Sequence, residues 1–282
     1  MQPPAFHFSA HEFDTMHKFG FDPKDYSKFK YGSKSIARNF GFELSRAFIA
    51  SNEFLTFINS LNGKQVVVIS APYLFTPTST KALVDYFLLY FNQKLVSLNN
   101  KACQLSQIYR QTSYSDDYGN MTSEERDKAI TADQFYIDYE FVKDKYILFI
   151  DDIKITGSHE RRIQDMVHNT PSHINFEYSY LYFASLIPNS NIQPQIEAFL
   201  NTNFLTDGLL SINYIIQNEE FQFNTRVVKY ILQADESEFK SFIRYQSETF
   251  QRTLLYYSVG NNYQLDDKFS SNLKYLTTLV KC

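Results

Sequence analysis

The 282-residue chain has few cysteines, little net charge and no long uninterrupted apolar run. Only Cys103 and Cys282 are present, too few for a disulfide framework and without the spacing of a zinc site, so we expect a reducing, cytoplasmic setting. A net charge of -4 removes the general electrostatic reason to expect nucleic acid as a partner. No segment approaches the ~18 apolar residues of a membrane span, and the N-terminal residues do not resemble a signal peptide, so no membrane association is expected.

What the chain does contain is ample material for a core. It has 27 Phe and 21 Tyr, and only 21% of its residues are charged, which is typical of a globular protein. Residues 1–32 contain turn formers and no long periodic segment, which predicts an N-terminal extension packed on the body. Within residues 33–190 apolar strands alternate with helical patterns, which predicts an α/β core with a mostly parallel sheet flanked by helices. Helical periodicity dominates residues 191–282 and predicts a helix-rich C-terminal appendage.

Individual elements follow from the same periodicities. The predicted strands are Gln65–Ser70, Cys103–Tyr109, Phe135–Phe141, Tyr146–Asp151, Ile174–Ile187 and Leu209–Ile216. The predicted helices are Ile36–Phe48, Asn52–Leu61, Lys81–Leu98, Gly157–Val167, Gln193–Leu200, Asn224–Leu232 and Ser237–Tyr257, with a last helix near the C-terminus.

One predicted strand runs into a pair of acids. The stretch YILFIDDIKITGSHERRIQDM passes from apolar residues through Asp151 and Asp152 and a Thr-Gly-Ser loop into a helical pattern. Ligands of open α/β sheets bind beyond the carboxyl ends of the strands. A loop that opens a helix suits a phosphate, and two carboxylates suit the hydroxyls of a sugar diol. A phosphorylated ribose meets both requirements.

The run ILFIDDIKITGS, residues 147–158, resembles the signature of type I phosphoribosyltransferases. Upstream, IYRQTSYSDDYGNMTSEERDKAI is similar to the loop that closes over the site in competence-associated phosphoribosyltransferase-like proteins. The stretch VVVISAPYLFTPTSTKAL resembles the first core strand, pyrophosphate loop and following helix. Together these cover roughly residues 33–190 and imply a type I phosphoribosyltransferase-like fold.

The resemblance implies roles for the acids and for the loop after them. Asp151 and Asp152 would bind the ribose 2- and 3-hydroxyls and stabilise the positive charge that develops on the ring during displacement at C1. Thr156, Gly157 and Ser158 would hold the 5-phosphate. The ligand implied is phosphoribosyl pyrophosphate.

The resemblance also implies where the pyrophosphate binds. Ala71, Pro72 and Tyr73 would line the pyrophosphate loop, and Arg110 would lie on or beside the closing loop. Mg²⁺ would bridge pyrophosphate and ribose oxygens through the substrate, and one of the two acids is the candidate for a direct protein ligand. By analogy with type I enzymes, a homodimer is the expected assembly.

Two positions depart from the family pattern. Family loops carry a hydroxyl residue where Ile155 and His159 stand, and Ile155 cannot donate a hydrogen bond to a phosphate. His159 donates only in a suitable tautomer or charge state, and Lys154 is the alternative source of charge. Two hypotheses therefore stay open: a phosphoribosyltransferase acting on a nucleobase or amine acceptor, and a non-catalytic protein of the same fold that binds the ligand as a regulator or assembly component.

Other classes of site receive less support. A P-loop NTPase would need GxxxxGK[ST], which is absent, and a haloacid-type phosphatase would need an acid where Ile153 stands. Arg126 and Lys128 are expected on a solvated helix face. A candidate metal face is formed by His7, His11, Asp14 and His17.

Overall fold

The computed structural model describes residues 3–14, 18–110, 135–188 and 196–280. Its strands are β1 His7–Phe13, β2 Val66–Ser70, β3 Gln104–Ser106, β4 Tyr109–Arg110, β5 Phe135–Tyr136, β6 Tyr146–Lys154 and β7 Glu177–Leu186. Five of these strands form a wholly parallel sheet in the order β1-β7-β6-β2-β3. The remaining two, β4 and β5, pair with each other in antiparallel fashion.

Helices cover both faces of the sheet and form a separate layer in the C-terminal region. They are α1 Pro23–Lys30, α2 Lys34–Ile49, α3 Asn52–Leu61, α4 Ser79–Ser97, α5 Tyr139–Val142, α6 Ser158–His168, α7 Ile196–Thr202, α8 Leu209–Asn218, α9 Thr225–Gln233, α10 Glu236–Arg244, α11 Glu248–Gly260 and α12 Asp267–Leu279. Apolar side chains of α2, α3 and α4 share one core with the sheet, and α6 contributes to the core on the opposite face.

Central strands are buried on both faces, which explains their uninterrupted apolar sequences. All five residues of β2 are buried, and they alternate between the two cores: Val66 and Val68 face α2–α4, whereas Val67 and Ile69 face the side of α6. The apolar part of β6 alternates in the same way. Full burial of each such side chain contributes ~1.5–3 kcal/mol, so the two central strands account for much of the stability of the sheet.

The C-terminal region has a core of its own, built by α8 to α12. On α9 the buried residues Val227, Val228, Ile231 and Leu232 form one stripe, which packs into this core. The opposite stripe of α9 is polar. Its position becomes important for the site described below.

Most predicted elements are confirmed. The sheet is parallel, β2 and β6 lie at its centre, and α3 spans Asn52–Leu61 as expected. The predicted helices beginning near Ile36, Lys81 and Gly157 correspond to α2, α4 and α6. The α/β class with a helix-rich C-terminal region is therefore correct.

Four predicted elements are wrong. Cys103–Tyr109 is not one strand but contains β3 and the start of β4, which belong to different sheets. Phe135–Phe141 is not a strand beyond Tyr136, because Asp138 accepts a hydrogen bond from the Phe141 amide, 3.0 Å, and starts α5. Leu209–Ile216 is helical rather than extended, because its apolar side chains pack among the C-terminal helices and Glu238 caps the Leu209 amide, 2.8 Å. The single helix predicted over Ser237–Tyr257 is two helices, since Ser247 caps a new one at Phe250, 3.2 Å.

The N-terminal segment is more than a packed extension. It supplies the edge strand β1, which pairs along β7 from His7 to Phe13, and helix α1, which begins after the capping residue Asp22. The domain boundaries drawn from the sequence stay a prediction.

Several predictions concern residues outside the described ranges. The closing loop, with Arg126 and Lys128, lies mostly within residues 111–134, and His17 and most of the expected domain edge at 188–192 are also outside. Among the residues that are described, no helix combines the length and apolarity needed to cross a membrane.

Candidate functional site

The two acids lie where β6 outlasts its neighbour. Ser70, the last residue of β2, pairs with Ile150, and beyond that point β6 pairs only with β7, through Asp151 and on to Lys154. The strand therefore does not end at the acids, as the sequence suggested, but continues past them with one side open. A cavity of about 430 Å³ occupies that open side.

Nearly all the residues proposed from the sequence line this one cavity. They are Ala71, Pro72, Arg110, Asp151, Asp152, Lys154, Thr156, Gly157, Ser158 and His159. Tyr73 is the exception, since it does not line the cavity and its carbonyl oxygen accepts a hydrogen bond from Gln107 at 3.0 Å. Lining residues that sequence reasoning missed include Lys30, Thr78, Ser79, Thr80, Glu160, Tyr182, Glu197, Thr225, Arg226, Lys229, Tyr230 and Gln233.

Asp152 is a buried carboxylate with a resident positive partner. Its Oδ2 atom accepts a hydrogen bond from Tyr26 Oη at 2.9 Å and forms an ion pair with Lys30 Nζ. The side chains of Asp152 and Lys30 are 5% and 12% exposed. Burial alone would raise the pKa of Asp152, but the charge of Lys30 and these hydrogen bonds hold it well below its usual range. Both of these contacts fall on Oδ2.

Asp151 has a different environment. Its Oδ1 accepts the Asp152 main-chain N–H at 2.9 Å and lies 3.4 Å from Thr80 Oγ1, while its Oδ2 lies 3.2 Å from His159 Nδ1. Burial raises the pKa of Asp151, and the nearby Asp152 adds to this, although His159 acts in the opposite sense. The adjacent acids thus differ: Asp152 is held ionised, and Asp151 is the more easily protonated of the two.

His159 is oriented by Asp151. Desolvation in the cavity opposes charging of the imidazole, but the hydrogen bond and charge of Asp151 outweigh it, so the pKa of His159 is raised. The ring is 46% exposed and lines the cavity. A protonated His159 would place positive charge beside the loop at Gly157.

The Thr-Gly-Ser loop forms the N-terminus of α6. Gly157 occupies the N-cap position with φ of 69°, and no side chain caps the first turn. Thr156 Oγ1 and Ser158 Oγ lie 2.8 Å apart, and Arg161 donates to Ser158 Oγ at 3.0 Å and to the Thr156 carbonyl at 2.7 Å. The amides of the first turn and these hydroxyls form an arrangement suited to an anion. Ile155, in contrast, packs partly against the core on the α2–α4 side.

A network of charged and polar side chains around Glu160 holds the Thr-Gly-Ser loop in place. Glu160 on α6 pairs with Lys154 at 2.6 Å and His7 at 2.9 Å, and accepts a hydrogen bond from Tyr182 at 2.7 Å. Burial alone would raise the pKa of Glu160, but these partners lower it to about 2. Lys154 is therefore engaged in this network and is not a separate source of positive charge for a phosphate.

The described members of the predicted metal face do not converge, and His17 lies outside the described residues. His7 pairs with Glu160, whereas His11 lies 2.9 Å from Glu43. In the parts of the chain that the structure describes, no group of three or more His, Cys, Asp or Glu side chains is placed to hold a metal ion.

A second helix N-terminus opens at the cavity. Thr78 is the N-cap residue of α4, yet its side chain does not cap the helix, and its buried hydroxyl has no hydrogen-bond partner among the described residues. Thr80, in the first turn, contacts Asp151. The first turns of α4 and α6 therefore meet at Asp151, since Thr80 lies at one of its oxygens and His159 at the other.

The C-terminal region forms the remaining wall. Arg226, Lys229, Tyr230 and Gln233 line the cavity at a spacing of one helical face, opposite the buried stripe of α9. The sequence contained this polar stripe but no sign of where it would lie. Lys30 carried no motif at all, because its role depends on the packing of α1 beside β6.

Comparisons with known proteins place these observations in context. The family model described as PRTase ComF-like matches residues 5–276, which includes the N-terminal strand and the C-terminal helices. Two crystal structures of a hypoxanthine phosphoribosyltransferase from Staphylococcus aureus, one tetragonal and one orthorhombic, are similar at 12% and 14% identity, with TM-scores of 0.30 and 0.29. Each match covers 56% of this chain, and 76% and 77% of the other chains. Comparison with curated protein sequences finds no match.

Proposed function

Since the chain belongs to the ComF-like phosphoribosyltransferase family, we propose that its cavity binds phosphoribosyl pyrophosphate and transfers the 5-phosphoribosyl group to a nitrogenous acceptor with release of pyrophosphate. The observation that carries this proposal is the convergence of two uncapped helix N-termini on one acid pair. A ligand with an anionic group at each end and a diol between them matches that arrangement.

The two ends of the ligand have separate positions. The first turn of α6, with Thr156 and Ser158, would hold the 5-phosphate, and the first turn of α4, next to Ala71 and Pro72, would hold the pyrophosphate. Asp152 Oδ1 would accept a hydrogen bond from a ribose hydroxyl. This pairing would be charge-assisted, since Lys30 keeps the carboxylate ionised.

The chemistry needs negative charge near C1 as pyrophosphate leaves. The ionised Asp152 would stabilise the oxocarbenium-like ring electrostatically without forming a bond to it. Asp151 and His159 form a pair that can hold or release a proton at the imidazole, and His159 in its charged form would contact the 5-phosphate. The acceptor would enter on the side of the C-terminal wall.

Magnesium remains part of the proposal. Asp151 and the Thr80 hydroxyl present the hard oxygen donors that this ion prefers, whereas Oδ2 of Asp152 is already occupied by Lys30 and Tyr26. These residues would hold the ion, which when bound neutralises charge on the leaving pyrophosphate. The homodimer expected from the resemblance likewise stays a prediction.

One observation favours binding of the same ligand without turnover. Ile155 stands where family loops carry a hydroxyl and is packed partly against the core, so that position offers the 5-phosphate no side-chain donor. A non-catalytic regulator or assembly component would retain affinity for phosphoribosyl pyrophosphate and release no pyrophosphate. Release assays with a panel of nucleobases and amines separate the two functions.

Titration calorimetry with phosphoribosyl pyrophosphate, with and without magnesium, tests the site directly. Asp152→Asn is expected to weaken binding about tenfold or more, because it removes the charged acceptor of a ribose hydroxyl. Asp165→Asn is the matched control, since Asp165 is an exposed acid on α6 outside the cavity. Equal affinity in wild type and Asp152→Asn would place the ribose elsewhere, and no binding to wild type would refute the proposed ligand.

A further inference from the structure

We propose that α9 of the C-terminal region completes the pyrophosphate half of the cavity, with Arg226 and Lys229 supplying the positive charge for a diphosphate group at the N-terminus of α4. The inference rests on the proposed function for the identity of the whole ligand. It assigns to the C-terminal region a part in binding the diphosphate, in addition to forming a wall for the acceptor.

The loop that leads into α4 has no positive charge of its own. Residues 71–80, APYLFTPTST, contain no lysine or arginine. A diphosphate carries several negative charges, and its oxygens bind most strongly to cationic donors. Cationic side chains for a diphosphate at this turn therefore belong to other elements that line the cavity.

Two lysines of the cavity pair with acids of the ribose half. Lys30 pairs with Asp152, and Lys154 pairs with Glu160 at 2.6 Å. Each of these lysines neutralises a specific carboxylate of the ribose half. The cations contributed by α9 lie in the same cavity but come from the opposite wall.

The start of α9 is fastened directly to the loop before α4. Thr225 donates its main-chain N–H to the Pro77 carbonyl at 2.8 Å, and its hydroxyl lies 2.5 Å from the Thr76 carbonyl and 3.2 Å from that of Pro77. Arg226 is the next residue, and Lys229 follows one turn later on the same face. The start of α9 thus lies next to the loop that leads into α4, and both cations line the same cavity as that loop.

The start of α4 also has a polar group without a partner among the described residues. The Thr78 hydroxyl is buried and unpaired there. Ser79, the next residue, is 6% exposed and lines the cavity. Buried hydroxyls are normally hydrogen-bonded, so this turn is built for a ligand with acceptor oxygens. Asn224, by contrast, caps α9 itself at 3.0 Å.

The packing of α9 fixes the direction of these side chains. Val227, Val228, Ile231 and Leu232 are buried in the C-terminal core, so rotation of the helix would expose that stripe to water. Arg226 and Lys229 consequently remain on the cavity side. Their position depends on the fold of the whole C-terminal region.

Calorimetry of the full chain with two separate probes tests the inference. Inorganic pyrophosphate with magnesium reports on the α4–α9 half, and ribose 5-phosphate reports on the ribose half. Arg226→Gln and Lys229→Gln are each expected to weaken pyrophosphate binding about tenfold. The affinity of each variant for ribose 5-phosphate should stay within about twofold of the wild-type value. Lys229→Arg, which keeps the charge, should retain pyrophosphate affinity within a few-fold. Lys240→Gln is the control, because Lys240 lies on α10 outside the cavity.

The possible results separate this inference from the proposed function. Selective loss of pyrophosphate binding supports it. If the variants lost affinity for both probes equally, α9 would contribute to the cavity as a whole. If pyrophosphate binding were unchanged, the cations of α9 would have another role. Either result overturns the inference and leaves the proposed ligand unaffected. Wild type that binds neither probe would overturn both. A thermal melt of each variant confirms that it is folded.

Discussion

Lys30 holds Asp152 in its charged form, although no sequence motif marks this lysine. Its ammonium group neutralises a carboxylate that is 5% exposed, and Tyr26 donates to the same oxygen. Desolvated ion pairs contribute little net stability as pairs, but removing one partner leaves an uncompensated buried charge. Loss of Lys30 should therefore destabilise the protein by leaving the buried charge of Asp152 without its partner.

Lys30→Met is expected to lower the free energy of unfolding by about 3 kcal/mol at pH 7. The folded-state pKa of Asp152 is depressed, so its contribution to stability is present above the unfolded pKa of about 3.9 and is lost as pH falls through the lower folded value. The difference between wild type and variant should therefore narrow below about pH 4. Urea titrations across pH measure this.

The control for that experiment is Lys24→Met, which removes an exposed lysine from the same helix and should change stability little at any pH. A Lys30→Met difference that stays constant with pH would mean that Lys30 acts through the packing of its methylene groups rather than through the charge of Asp152.

At the scale of single elements, the sequence pattern predicted the helices and strands that interactions within one segment determine. The apolar runs of β2 and β6, the amphipathic stripes of α2 and α6, and the Thr-Gly-Ser start of α6 could all be predicted from the sequence. Leu209–Ile216 could not, because its apolar residues satisfy a strand or a helix and the C-terminal core selects the helix. The meeting of α1, α4 and α9 around the acids is a tertiary property that no single segment contains.

Gly157 tests how much the start of α6 depends on backbone conformation. A Cβ atom there would find its nearest neighbours at 3.6 Å, so space is available and the constraint is the φ of 69°. Gly157→Ala is expected to cost about 1 kcal/mol of stability and to weaken ribose 5-phosphate binding, because the strained turn shifts the amides that face the phosphate. Urea denaturation and calorimetry give the two values.

A matched glycine separates the two effects. Gly63 has φ of 78° with nothing within 4 Å of its Cβ position, and it lies in the turn between α3 and β2, outside the cavity. Gly63→Ala should therefore cost a similar amount of stability and leave binding unchanged. If Gly157→Ala also left binding unchanged, the 5-phosphate would not lie at this turn.

For the whole molecule, the important feature is that the site is assembled from all parts of the chain. The N-terminal segment provides Lys30, the α/β core provides the acids and both open helix N-termini, and the C-terminal region provides the wall at α9. The family match over residues 5–276 agrees with this continuity. Sequence reasoning identified many of the residues that line the cavity but treated the flanking segments as attachments, because their contacts to the core join residues far apart in the sequence.

Asn261 is a direct link between the C-terminal region and the α/β core. It is 4% exposed, accepts hydrogen bonds from the Phe75 and Thr76 amides at 3.3 and 3.1 Å, and donates to Thr76 Oγ1 at 2.8 Å. Asn261→Ala leaves two main-chain donors without their acceptor, so we expect a loss of about 1–3 kcal/mol in the free energy of unfolding. Because Thr76 also contacts Thr225, the loop before α4 should shift relative to α9.

The binding consequence follows from that shift. Asn261→Ala should weaken the binding of inorganic pyrophosphate more than the binding of ribose 5-phosphate. The reason is that the ribose half of the cavity is formed by β6 and α6 and does not depend on this loop. Asn218→Ala is the control, because its exposed side chain donates to the Tyr214 carbonyl on the same helix and lies outside the cavity. Equal weakening of both probes would mean that the two halves of the cavity move as one unit, and that the C-terminal region stabilises the whole site rather than its pyrophosphate half.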